Sequence, residues 1–219
     1  MGSITRSFAN NIGSSGILTA SAVTNATVED VTSFDSAGSP ATLVLLSTQT
    51  ASSSATISFT TGLDSTYDEY IFKFINIHPS VDGGRFEFNL STDSGSNYNV
   101  TKTTSYFYSY HNEADTSTGL TYDTDGDLAQ STSFQRIQFV GNDNDQNLSG
   151  TLSLFNPSST TYVKHFLLTA NTTSANDTSI NVFSAGYGNT TSAVNAVRFQ
   201  FSSGNIDDGI IKLYGVKKS

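Results

Sequence analysis

From Leu43 onward, apolar residues recur at every second position in short runs, and clusters of Gly, Asn, Asp and Ser break the runs. A period of two is the signature of strands with one buried and one solvated face. Candidate strands are LVLLSTQT from Leu43, ATISFT from Ala55, EYIFKFINI from Glu69, RFEFNLST from Arg85, TSYFYSY from Thr104 and FQRIQFV from Phe134. SGTLSLF, YVKHFLLTA, TSINVFSA, NAVRFQF and a closing ladder from Ile210 to Val216 follow. In RFEFNL, Phe86, Phe88 and Leu90 face one way while Arg85, Glu87 and Asn89 face the other; in NAVRFQF, Val197, Phe199 and Phe201 alternate with Arg198 and Gln200. About eleven such strands, with turn chemistry in DGG, DSGSN, NPSST and SSGNIDDG and hardly a helix between them, predict an all-β fold. The expected architecture is a single antiparallel β-sandwich, jelly-roll-like, over residues 41–219. Asn205, Asp207, Asp208 and Gly209 read as a hairpin turn ahead of the closing ladder, which should dock into a sheet.

The first forty residues break this pattern. They are small, polar and turn-rich, with Ile4, Phe8, Ile12, Ile17 and Leu18 as their main apolar residues. That is too little to form a core, so residues 1–40 read as an extended arm that anchors on a neighbouring chain. A second irregularity is the segment from His111 to Thr132, acidic and poorly patterned, which reads as a long loop. Loops of that length between strands are functional or flexible.

Composition narrows the function. Only 13% of the 219 residues are charged, and 19 acids against 10 bases give a formal net charge of −9. A phosphate backbone repels such a chain, which argues against nucleic-acid binding. Ser and Thr supply 64 residues, so the polar content is largely uncharged, unlike that of a charge-rich disordered chain. Fifteen Phe and ten Tyr supply the bulk for a core. The absence of Cys removes disulfides, thiolate chemistry and Cys-bound zinc. No apolar run approaches the length of a membrane span, and the N-terminus lacks the apolar centre of a signal peptide.

Candidate chemistry is sparse. Asp123, Asp125 and Asp127 alternate in YDTDGD, a spacing that can converge carboxylates on calcium. The Glu that would complete an EF-hand loop is replaced by Phe134, so any calcium site there is open and weak. Asp143 and Asp145 in GNDNDQN form a second, weaker candidate. His78, His111 and His165 lie far apart, with no i, i+2 pair for a metal; alternation groups His165 with Val163 and assigns it a structural role. Asp68, Glu69, Glu87 and Glu113 are the carboxylates from which a glycosidase pair could be assembled in space. No nucleophile elbow, P-loop or dinucleotide fingerprint is present, and an enzyme is not expected. In TSYFYSY, Tyr106, Tyr108 and Tyr110 share one face. They either cover the core or form an amphipathic contact surface for a subunit or a glycan.

Four stretches carry a resemblance: GSITRSFANNI, LSTQTASSSATISFTTGLDSTYDEYIFKFINIHP, LSGTLSLFNPSSTTYVKHF and the closing SGNIDDGIIKLYGVK. Together they resemble a group of small structural proteins from tailed bacteriophages, especially those of marine bacteria, and the likeness runs over most of the chain. The resemblance implies a β-sandwich displayed on the virion surface and held there by its N-terminus. The expected role is a capsid decoration or head-fibre protein whose partner is the major capsid protein. The alternative is a tail-fibre or receptor-binding module held by a tail or connector protein and touching host-surface glycans. The resemblance also implies a homo-oligomer, most simply a trimer. It brings no catalytic residues and no cofactor beyond the weak calcium candidate.

Overall fold

Residues 43–217 are described by the computed structural model, and among them there is no helix. The expected arm, with Ile4, Phe8, Ile12, Ile17 and Leu18, lies outside the described residues. Twelve strands follow in order: β1 (Leu43–Thr50), β2 (Ile57–Phe59), β3 (Glu69–Pro79), β4 (Gly84–Ser91), β5 (Lys102–Asn112), β6 (Thr118–Tyr122), β7 (Gln135–Val140), β8 (Leu148–Phe155), β9 (Lys164–Ser174), β10 (Thr178–Gly188), β11 (Ala196–Phe201) and β12 (Ile206–Val216). They form an eight-stranded sheet in the order β1-β12-β3-β8-β9-β10-β5-β6 and a four-stranded sheet in the order β2-β11-β4-β7. Every pairing is antiparallel.

The apolar faces of the two sheets meet as a β-sandwich. Phe199 of β11 is the hub of the core. Its ring lies 5.2–6.3 Å from Phe59, Phe72, Phe74, Phe86 and Phe88, which come from both sheets. Most of these contacts are edge-on, the arrangement that ring quadrupoles favour. All six rings are buried, as are Leu152, Leu154, Leu168, Ile211 and Leu213 opposite them. The alternation of RFEF and VRFQF therefore marks the core face.

All eleven expected strands are present, and the structure adds a twelfth. The segment from His111 to Thr132 is not one long loop. Residues 113–117 turn, and β6 then pairs with β5 from Phe107↔Tyr122 to His111↔Thr118. β6 is short, and the residues of TGLTY are all exposed or half-exposed, so they carry no buried face for periodicity to reveal. It is an edge strand, held by backbone bonds on one side only.

The closing ladder docks as expected, but deep in the sheet, between β1 and β3. It also starts earlier than the turn chemistry predicts. Asn205 ends the turn and β12 begins at Ile206, with register shifts at Asp208 where β3 also bulges around Asn76. Gly209 is required there. Its φ is +124°, and a Cβ would come within 2.8 Å of the Asn76 carbonyl oxygen and Ile77 Cα. The Asp-Asp-Gly run thus serves a bulge inside a strand instead of a hairpin turn.

Candidate functional site

The tyrosine face of β5 points inward. Tyr106 is fully buried, and its hydroxyl donates to the Ile137 carbonyl at 2.8 Å, tying the large sheet to β7 of the small one. Burial pushes this phenol up to about 12. Tyr108 is half-buried against the core, and Tyr110 continues the row with its ring 6.0 Å from that of Tyr108. The contact-surface expectation for Tyr106 is therefore corrected: a side chain with no exposed area offers nothing to a glycan or a subunit. Tyr106 and Tyr108 cover the core.

The opposite face of the same strands carries exposed apolar side chains that the sequence reading passed over. Phe107 and Phe183 are direct cross-strand partners whose rings stack at 5.2 Å, 13° from parallel. Tyr122 pairs with Phe107 on the β6 side, and Leu167 of β9 lies diagonal to Phe183 on the other. Leu120 is 72% exposed, Leu167 56% and Tyr122 55%. The result is an apolar strip across β6, β5, β10 and β9 on a face that also carries Thr103, Ser105, Ser109, His165, Thr169, Asn171 and Tyr187. Phe107 and Phe183 occupy the positions between the buried residues of their strands, a placement that alternation alone leaves open between two aromatic neighbours.

His165 is also on this outer face, exposed, with its ring 5.9 Å from Tyr187. It is not a core residue, which corrects the structural role expected for it. Its neighbour Lys164 is buried instead, in phase with Phe166, Leu168 and Ala170. The Lys164 ammonium donates to the carbonyls of Tyr162 and Thr190, at 2.6 and 3.1 Å. Lys102 of β5 is a second buried lysine, donating to Asn89 Oδ1 at 2.5 Å and to the Val100 carbonyl at 2.9 Å. Both lysines pair in register with Gly188 of β10. Burial lowers both ammonium groups, Lys102 to about 7.

The three aspartates of YDTDGD do not converge. Asp123 forms an ion pair with Arg136 and accepts the Asp125 amide at 2.9 Å. Asp127 accepts the Tyr122 hydroxyl at 2.7 Å. Among the described residues no group of three or more His, Asp or Glu side chains could hold a metal ion. The calcium expectation for Asp123, Asp125 and Asp127 is corrected: the nearby guanidinium takes the charge-compensating role a cation would have had. Asp143 and Asp145 likewise belong to no such group among the described residues. Of the other carboxylates, Asp68 and Glu69 stand at the start of β3, Glu113 lies in the β5–β6 turn and Glu87 lies in β4 of the other sheet.

The segment 123–134 builds a pocket against the small sheet. Arg85 and Glu87 of β4, Arg136 of β7, and Asp125, Leu128 and Phe134 line a cavity of about 430 Å³, with Gly126 and Ser133 completing it. Arg136 is 6% exposed, its guanidinium 4.5 Å from the Tyr106 ring and 5.2 Å from that of Phe139. Burial alone would lower this guanidinium, but the Tyr106 and Asp123 contacts outweigh it and the net shift is upward. Asp123 answers in the opposite sense. Burial would raise its carboxyl, and the bonds from Arg136 and the Asp125 amide bring it below the ordinary carboxylate value.

Gly126 makes this stacking feasible, since a Cβ there would come within 2.5 Å of both the guanidinium and the Tyr106 ring. Arg136 Nε has no hydrogen-bond partner although it is buried. Glu87 is 8% exposed and accepts one bond, from Gln200 at 3.1 Å. Burial raises its carboxyl, opposed by Gln200 and by Arg85. Comparison of the chain with protein-family models, curated proteins and solved structures gives no match.

Proposed function

We propose that this chain is a structural component of a bacteriophage virion, displayed on the particle surface as a capsid decoration or head fibre. Residues 1–40 are the segment that binds the particle, with the major capsid protein as partner, and the sandwich projects from it. The observation that carries the reading is the uncharged apolar strip of Leu120, Tyr122, Phe107, Phe183 and Leu167 on the outer face of the large sheet. A contiguous exposed apolar strip marks an interaction surface. On a chain of net charge −9, an uncharged strip is also where two copies approach with least repulsion. The occupant is a second copy of this chain, and the proposed assembly is a trimer. The chain-long resemblance to small tailed-phage structural proteins supports the same role, and no catalytic step is assigned.

Two measurements test this. Quantitative mass spectrometry of purified particles should find the chain at a copy number comparable to that of the major capsid protein. A number matching the tail would move it to the tail-fibre role, and absence from particles would overturn the proposal. Light scattering should give a multiple of the 23.3 kDa chain mass, reduced to one chain by Phe183→Glu. A monomeric wild type refutes the role assigned to the strip.

A further inference from the structure

We propose that the pocket between β4, β7 and the 123–134 segment is a binding site for a neutral pyranose sugar. The inference stands apart from the assembly reading, which uses the other sheet. Its starting point is Glu87, a carboxyl 8% exposed in the pocket lining that accepts only the Gln200 amide. Glu87 and Arg136 are cross-strand neighbours in register, yet the ion pair of Arg136 is made with Asp123. A largely buried acceptor left with open lone pairs in this way is destabilising unless something completes it.

Charge selects the ligand class. The pocket is lined by two guanidinium groups and two carboxyls, and Asp123 already offsets Arg136. With no positive excess, the pocket gives a phosphate or a sugar acid no advantage, and without converging carboxylates it gives none to a metal cation. What remains is a ligand that both donates and accepts. Sugar hydroxyls can donate to Glu87 and Asp125 while their oxygens accept from Arg85. Half-buried Leu128 and Phe134 supply an apolar wall for the C–H face of the ring. The volume of about 430 Å³ falls in the range of small-ligand sites.

The stacked geometry of Phe107 and Phe183 favours this location over the apolar strip. Those rings stack on each other at 5.2 Å, so one face of each is already covered.

The full chain, labelled with ¹⁵N, is titrated with the methyl glycosides of glucose, galactose, mannose and N-acetylglucosamine at millimolar concentrations. Glucuronate and inorganic phosphate serve as comparators. At least one neutral glycoside should give saturable shifts of the Gly126 and Ser133 amides. Glu87→Gln and Phe134→Ala should each weaken it about tenfold, with the remaining spectrum unchanged. Asp207→Asn, in a separate hollow beside His78, should leave affinity as it was. The proposal is overturned if none of the glycosides moves these resonances. It is equally overturned if binding survives both pocket variants at full strength, or if phosphate or glucuronate binds more tightly than every neutral glycoside.

Discussion

Replacing Lys102 by methionine should stabilise the protein at neutral pH, and the gain should fade as pH rises. Lys102 is fully buried, and among the described residues the ion pairs are His111–Asp115 and Arg136–Asp123, so its ammonium faces only oxygen dipoles. Burial brings its titration from 10.5 to about 7. The folded state therefore releases a proton that the unfolded chain keeps between about 7 and 10.5, and stability must rise with pH across that window. At about 1.36 kcal/mol per pH unit, the full window is worth a ceiling of about 5 kcal/mol. Methionine keeps the apolar stem but leaves the Val100 carbonyl short of a donor, which costs about 1–3 kcal/mol. Asn89 Oδ1 remains satisfied by the Leu90 amide at 2.8 Å. The net gain for Lys102→Met at pH 7 is then about 2–4 kcal/mol, shrinking by about 1.4 kcal/mol per pH unit toward pH 10. Urea midpoints of wild type and variant at pH 7, 8, 9 and 10 measure it, and the difference between the two curves cancels the tyrosines that titrate in both. Parallel curves, or a variant less stable at every pH, would refute the argument that a buried charge is carried here at a cost.

Two further outcomes follow from the same contacts. Phe199→Ala removes the hub of the core and should cost about 3–5 kcal/mol, read as a lower denaturation midpoint; a loss under about 1 kcal/mol would mean that the core collapses around the site. Thermal scans with EDTA, calcium and magnesium should coincide, and Asp125→Asn should change stability by less than about 0.5 kcal/mol, because Asp123 and Asp127 are already engaged. A calcium-dependent rise in Tm would show that the carboxylates regroup around a cation.

The strand pattern belonged to the sequence. Wherever a strand has one face in the core, alternation such as Phe86, Phe88, Leu90 against Arg85, Glu87, Asn89 records it locally, and the eleven strands so marked are all present. β6 escaped because an edge strand with no buried face has no alternation to show. The same alternation holds Lys164 in phase with Phe166 and Leu168 and groups Phe107 apart from Tyr106, but it could not say which of the two met the core, since both are aromatic and a one-residue choice of face exchanges them. The sheet order, and therefore which strands meet, was decided only in three dimensions: β12 lies between β1 and β3, and β11 pairs with β2 and β4. So was the pocket, whose two arginines and Glu87 lie on paired strands while Asp125 comes from the segment folded over them. The aspartate spacing suggested a cation site because spacing along a chain counts only the carboxylates. Which positive group stands opposite Asp123 is a long-range contact, and the fold supplied Arg136.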